Sequence, residues 1–211
     1  MTEILKTIDL ISLIMTIVLF GLSSHLIIYF FVSVFLPPKR FKKASEFHRY
    51  GVLIPARNEQ KVIAQLIDSI KKQNYPSELI DIFVIADNCT DDTALVAKNS
   101  GAIVFERFDN EKKGKGYALN FALNKIFEEY KDKEYKGFFF FDSDNLLSKD
   151  FVVNMNDAVC EGYKIVTGYR SSKNYGQNWI AAGSGMIYLE QSRLEHRART
   201  KLHTQTHISG T

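Results

Sequence analysis

The sequence predicts an α/β fold: a mostly parallel sheet flanked by helices and preceded by one transmembrane helix. Three observations predict it. From about residue 50, short apolar runs alternate with segments of helical periodicity. Those runs are apolar on both faces, as parallel strands are when helices cover each side. Finally, the stretch from Leu10 to Leu36 contains no Asp, Glu, Lys or Arg, and about 20 apolar residues suffice to cross a hydrocarbon layer.

The N-terminal run is too long for a cleaved signal peptide, its start is weakly basic, and no small-x-small cleavage site comes after it. A buried core helix is the competing reading, but the run lacks a polar face. Pro37-Pro38 ends the helix, and Lys39, Arg40, Lys42 and Lys43 come next, whereas Glu3, Lys6 and Asp9 leave the other flank mixed in sign. The positive-inside rule then puts the chain beyond the helix in the cytoplasm, held at the cell membrane. The same cluster suits anionic headgroups or simply solvent. The expected organisation is a helix and flank over residues 1–38, a basic juxtamembrane linker over 39–49, and one domain over 50–211.

Within that domain, strands are expected at Tyr50–Ala56, Ile80–Ala86, Ala102–Glu106, Gly137–Phe141 and Lys164–Tyr169. Val62, Ile63, Leu66, Ile67 and Ile70 give helical spacing to residues 59–72. A short helix spans Asp91–Asn99, with Thr90 or Asp91 as N-cap and Gly101 as its stop. Tyr117, Phe121, Leu123, Ile126, Phe127 and Tyr130 mark the apolar face of a helix over Gly116–Tyr130. A further helix covers residues 148–160. Asn174 to Trp179 leads into another, ending near His203, whose basic side (Arg193, Arg197, Arg199, Lys201) suits a membrane surface or solvent equally.

The formal charge of +3 is too small to argue for nucleic acid, and no aromatic-and-basic stripe for single strands exists. Cys89 and Cys160 are too few for a disulfide framework. His203 and His207 are four apart, but no further zinc ligand is evident.

In parallel sheets, ligands sit beyond the carboxyl ends of the strands. The polar groups of interest fall there: Arg57, Asn58 and Glu59; Asp87 and Asn88; Asp142 and Asp144. The aromatic strand ends abruptly in Asp142-Ser143-Asp144. Residues i and i+2 of an extended chain share a face, so both carboxylates suit one hard divalent cation. An Asx-turn involving Asn145 is the alternative. Asp87 suits the imino proton of a pyrimidine, or an Asx-turn. Arg57 suits base stacking, phosphate, or a surface ion pair. Gly114-Lys115-Gly116 opens a helix whose free amides favour an anion, or forms a basic loop. It matches neither a Walker A loop nor a dinucleotide fingerprint.

Four segments taken together are recognisable: Val52 to Glu59 (Val-Leu-Ile-Pro-Ala-Arg-Asn-Glu), Val84 to Thr93 (Val-Ile-Ala-Asp-Asn-Cys-Thr-Asp-Asp-Thr), Gly114 to Asn120 (Gly-Lys-Gly-Tyr-Ala-Leu-Asn) and Phe141 to Asn145 (Phe-Asp-Ser-Asp-Asn). In order and spacing, over roughly residues 50–170, the chain resembles the family 2 glycosyltransferases of GT-A fold. With its N-terminal helix it looks like their membrane-bound, processive-type branch of cellulose, hyaluronan and poly-N-acetylglucosamine synthase-like enzymes. The resemblance implies inverting transfer from a nucleotide-sugar, usually a UDP-sugar, to a glycan or lipid acceptor. It implies that Pro55, Arg57 and Glu59 line the nucleoside pocket and that Asp87 holds uracil. Lys115 would lie near the diphosphate or Asp142. Asp142 and Asp144 form the D-x-D, with Asp142 toward ribose or sugar and Asp144 toward Mg²⁺ or Mn²⁺. Many members carry an aromatic residue at the Arg57 position.

The family's general base, in a Thr-Glu-Asp-like motif, and its Gln-x-x-Arg-Trp-like segment are not found. Ile208-Ser209-Gly210-Thr211 resembles the stretch that precedes the base. The expectation is therefore a donor-binding part, incomplete at its C-terminus and active in transfer only with a second chain supplying the rest. A sugar-phosphate nucleotidyltransferase is the first alternative, disfavoured by the missing Gly-rich, Arg-containing phosphate loop after the first strand. A non-catalytic membrane subunit or remnant is the second.

Overall fold

The computed structural model describes residues 2–172 and 175–204. Asn174, His207 and the Ile208–Thr211 stretch lie outside them. The described chain divides into two compact units, one of residues 41–166 and one that joins the N-terminal helix to the segment from Thr167 onward.

In the first unit, four parallel strands form a sheet: β1 (Tyr50–Ala56), β2 (Ile80–Asp87), β3 (Ile103–Arg107) and β4 (Gly137–Phe140), in the order β3-β2-β1-β4. Tyr50 pairs with Ile80 on one side of β1 and with Gly137 on the other. The connections are helical: α2 (Ile63–Lys71), α3 (Thr93–Asn99), α4 (Lys115–Glu129) and, after β4, α5 (Phe151–Cys160). Alternate residues of β1 face opposite layers, as a pleated strand dictates. Val52, Ile54 and Ala56 pack with Ile63, Leu66, Ile67 and Ile70 of α2. Leu53 packs with Phe83, Ile85 and the Ala118, Ala122 and Ile126 stripe of α4.

Of the expected face of α4, Ile126 lies in this stripe and Phe121, Leu123 and Tyr130 pack against the same core, whereas two residues do not. Tyr117 and Phe127 are 52% and 59% exposed. Two alanines lead instead, because small side chains let the helix settle close to the sheet. The strand expected over Lys164–Tyr169 does not form. Its residue Ile165 is 71% exposed, and β4 stays an edge strand. A β-branched run becomes a strand only where it finds a ladder partner. The helix expected from residue 59 begins at Ile63, because the backbone of Glu59 is engaged in a turn to Val62 and Ile63.

The basic segment is strapped to α5 from Phe41 onward. Lys42 N–H donates to Glu161 (2.7 Å) and Ala44 N–H to Asp157 (2.8 Å). Fully buried Asn156 closes the strap. Its amide donates to Glu46 O (2.9 Å), and its Oδ1 accepts from the hydroxyls of Tyr50 and Tyr75 (both 3.0 Å). Burial pushes both phenols up, Tyr75 to about 12, so both remain neutral donors near pH 7.

In the second unit, α1 (Thr2–Phe35) is long and apolar enough over Ile4–Phe35 to cross a membrane. At 1.5 Å per residue it extends about 50 Å. α6 (Trp179–Glu190) starts at Asn178, whose side chain accepts from Ala181 N–H at 2.8 Å. A π-helical stretch (Gln191–His196) leads into α7 (Arg197–Lys201). Ser33 Oγ donates to Leu194 O at 2.5 Å, Arg197 donates to Leu36 O, and the Arg199 guanidinium lies 5.3 Å from the Tyr29 ring centre. Arg197 and Arg199 are thus occupied within this unit.

Asn156→Ala should lower stability by about 1–3 kcal/mol, because it takes this partner from the buried Tyr50 hydroxyl and from Glu46 O, while the Tyr75 hydroxyl keeps His48 O at 2.7 Å. A denaturant midpoint that falls at unchanged slope checks this.

Candidate functional site at the carboxyl rim of the sheet

Parallel pairing brings all four strand C-termini to one rim. β1 ends at Ala56 opposite Ala86, and β2 ends at Asp87 opposite Arg107. Asp142 lies two residues past the end of β4. With β1 between them, strands β2 and β4 run about 10 Å apart, two strand spacings. The rim therefore gathers groups far apart in sequence.

Pro55 fixes where the last carboxylates leave the sheet. Phe141 N–H donates to Leu53 O at 3.2 Å. The next bond of that parallel ladder requires an N–H at residue 55, and proline has none. The β1–β4 ladder stops, so β4 ends at Phe140, one residue short of the expected boundary, and the chain turns away through Asp142.

The loops after β1 and β2 are stitched together. Asn58 and Asn88 have φ of 57° and 53°, a left-handed conformation that asparagine tolerates better than most residues. Asn58 Oδ1 accepts from Thr90 N–H at 2.8 Å. The Thr93 hydroxyl accepts from Glu59 N–H (2.8 Å) and donates to Asp91 (2.5 Å). Asp91 also accepts from Thr93 N–H at 3.0 Å, but it is Asp92, not the expected Thr90 or Asp91, that occupies the N-cap position of α3. These bonds, led by that from the Thr93 side chain, hold the Asp91 carboxyl below the usual range. The Cys89 thiol lies 3.4 Å from Ala56 O, and burial pushes its pKa up.

Asp87 and Arg107 form a buried ion pair, 7% and 8% exposed. Arg107 Nη1 donates to Asp87 Oδ1 at 2.6 Å, and Asn88 Nδ2 reaches the same oxygen at 3.1 Å. Arg107 Nη2 donates to Asp109 (2.8 Å) and to Lys112 O (2.6 Å). Hydrogen bonds from Lys112 N–H and Glu111 N–H hold the Asp109 carboxyl low. The alternative of an Asx-turn at Asp87 is not seen among the described residues, where its carboxylate takes side-chain donors. The sequence-based expectation missed Arg107 by ending that strand at Glu106. An arginine closing an apolar strand, level with an aspartate on the neighbouring one, was the available signal.

Gly114 enters α4 at φ 121°, which favours glycine. Lys115 Nζ then donates to Asp142 Oδ1 at 2.5 Å. Asp142 is half-buried and Asp144 exposed, on a turn closed by Asn145 N–H to Asp142 O at 3.0 Å. Asn145 Nδ2 is buried with no hydrogen-bond partner among the described residues, a donor suited to an oxygen-rich ligand. Arg57 is exposed, and Pro55 and Glu59 are half-buried. The structure thus puts Pro55, Arg57, Glu59, Asp87, Lys115, Asp142 and Asp144 on one rim, and brings Lys115 against Asp142. Among the described residues no cluster of three or more His, Cys, Asp or Glu could hold a metal alone. Two carboxylates still fit a hard ion, since magnesium-type sites use one or two carboxylates and complete the shell with phosphate and water.

Comparison with known proteins gives the same direction. A 71-residue stretch is 42% identical to a 4,4'-diaponeurosporenoate glycosyltransferase of Staphylococcus aureus, and covers 34% of this chain and 18% of that protein. The chain therefore spans about a fifth of the length of the curated relatives it matches. Among solved structures, a mannosyltransferase from Pyrobaculum calidifontis in complex with GDP-Man and Mn²⁺ superimposes with a TM-score of 0.50 at 22% identity, over 64% of this chain and 41% of that one. S. aureus TarS comes next at 0.44 and 21% identity, over 57% and 39%. At such identity the mannosyltransferase likeness speaks to the fold, which is GT-A-like. Residues 51–211 match the glycosyl transferase family 2, and this chain belongs to that family.

Proposed function

We propose that this chain is the donor-binding part of a membrane-anchored, inverting glycosyltransferase of the processive type, which takes a UDP-sugar with Mg²⁺ or Mn²⁺ and transfers the sugar to a glycan or lipid acceptor. The observation that carries it is the convergence of Asp87, Asp142, Asp144 and Lys115 on the carboxyl rim, in a chain of this family. Membership favours sugar transfer over nucleotidyl transfer.

Each rim group has a task in that reading. The Asp87 carboxylate, an acceptor only, takes the imino N–H of uracil. Pro55, Arg57 and Glu59 border the nucleoside, with the exposed Arg57 guanidinium available for stacking or phosphate. Asp142 and Asp144 hold the divalent ion, which when bound stabilises negative charge on the leaving diphosphate. Lys115, at the N-terminus of α4, adds positive charge beside Asp142 and meets the diphosphate where free helix amides favour anions. Asn145 Nδ2 supplies a further donor. The mannosyltransferase that shares the fold is in complex with GDP-Man and Mn²⁺, a nucleotide-sugar and a divalent ion of the kinds proposed here. α1 anchors the chain, and Lys39, Arg40, Lys42 and Lys43 keep the sheet unit cytoplasmic.

Calorimetric titration with UDP and Mn²⁺ should give a binding isotherm. Asp87→Ala should weaken it about 10- to 100-fold, the 1.5–3 kcal/mol worth of a hydrogen bond to a charged group. If both chains release no heat, the donor-site reading fails. Manganese should tighten UDP binding to the wild type, and Asp144→Asn should abolish that gain while sparing metal-free affinity. Equal gains in both would remove Asp144 from the metal site. After an alkaline carbonate wash, the chain should stay with the membrane fraction, and deletion of residues 2–38 should release it.

A further inference from the structure

We propose that Arg107 is a positioning residue that sets base selectivity by fixing Asp87 as an acceptor-only edge; this rests on the uridine-binding reading above. The guanidinium is a rigid fork, and each prong has its own task here. Nη1 holds Asp87 Oδ1 at 2.6 Å, and Nη2 holds the adjoining loop through Asp109 (2.8 Å) and Lys112 O (2.6 Å). Asn88 braces the same joint from its left-handed position. Its N–H donates to Arg107 O at 2.7 Å, its Oδ1 accepts from Asp109 N–H at 2.9 Å, and its Nδ2 reaches Asp87 at 3.1 Å.

The consequence lies in what Asp87 can offer a base. Oδ1 receives two side-chain donors, and Oδ2 makes no hydrogen bond among the described residues. With Oδ1 occupied by a cation, the carboxylate shows a ligand lone pairs and no proton. Uracil meets that edge with its N3–H. Cytosine meets it with a bare N3 lone pair, and the two acceptors repel. Methylation of uracil at N3 removes the matching donor. Without Arg107, the Asp87 carboxylate can rotate away from that edge and accommodate cytosine. A buried carboxylate beside an unpaired base edge discriminates strongly, because the mismatched group stays desolvated without a partner. Lysine at position 107 keeps the charge but cannot serve Asp87 and the loop together.

The test is titration of the full chain in detergent micelles with UDP, CDP and N3-methyl-UDP, each with Mn²⁺, for the wild type, Asp87→Ala, Arg107→Lys, Arg107→Met and the Asp87→Ala/Arg107→Met double variant. Wild type should prefer UDP over CDP by tenfold or more. Arg107→Met should bring that ratio toward one, and Arg107→Lys should restore part of it. The double variant should bind UDP no more weakly than Asp87→Ala, since Arg107 acts through Asp87. A thermal unfolding curve shows whether Arg107→Met folds, and if it does not, the Arg107→Lys ratio decides. Wild-type selectivity in a folded Arg107 variant, with binding lost in Asp87→Ala, overturns this inference alone. Absence of UDP binding by the wild type, or equal binding by Asp87→Ala, overturns the donor-site reading and the inference with it.

Discussion

β1 is the constraint on which the sheet unit depends. It is the one strand with a parallel ladder on each edge that begins at the same residue, Tyr50. Its alternate side chains anchor two different helical layers, so its register fixes both faces. Its one residue without an N–H, Pro55, ends the β4 ladder at the level where the functional turn begins. A central strand normally excludes proline because a ladder bond is lost. Here the lost bond releases β4, so that Asp142 and Asp144 leave the sheet on the side where Asp87 already stands.

The two rims of the sheet use carboxylates differently. At the amino end, Asp81 takes Arg49 (3.1 Å), Tyr135 (2.7 Å) and Lys133 (3.3 Å). Several donors share that carboxylate, and it serves the fold. At the carboxyl end, Asp87 keeps Oδ2 out of any protein hydrogen bond among the described residues, Asp142 meets one lysine, and Asp144 is exposed. A buried Asp87 whose Oδ2 takes no protein hydrogen bond among the described residues suits a rim that exchanges partners with a ligand. The Asp87–Arg107 pair belongs between these cases. Burying two charges is a weak source of stability, but it fixes geometry, and a base-reading carboxylate needs fixed geometry.

The rim position of Arg57, Asp87, Asp142 and Asp144 was legible because each lies at or just past the end of an apolar run, where chain polarity and parallel order fix the rim. Arg107 was not legible as a partner of Asp87: twenty residues separate them, and only the β2–β3 register sets them side by side. The clasp between the loops after β1 and β2, from Asn58 to Thr90 and from Glu59 to Thr93, is likewise invisible in one dimension. Sequence misjudges Tyr117 and Phe127 on α4 because hydrophobicity ranks them above Ala118 and Ala122, whereas close packing against the sheet ranks by size. The Lys164–Tyr169 run has strand chemistry and no ladder to join.

By itself the sequence determined the order of strands and helices over residues 50–160, the long apolar N-terminal helix, and which carboxylates stand at strand ends. Those properties arise from local periodicity, from chain direction, and from proline and glycine acting on their own backbone. Only the tertiary structure decided that Pro55 ends one ladder, that Asp142 meets Lys115, that Asp87 is shared with Arg107, and that residues 41–49 are strapped to α5. Each of these is a contact between segments distant in sequence, and its energy depends on register and burial, which no single stretch of chain contains.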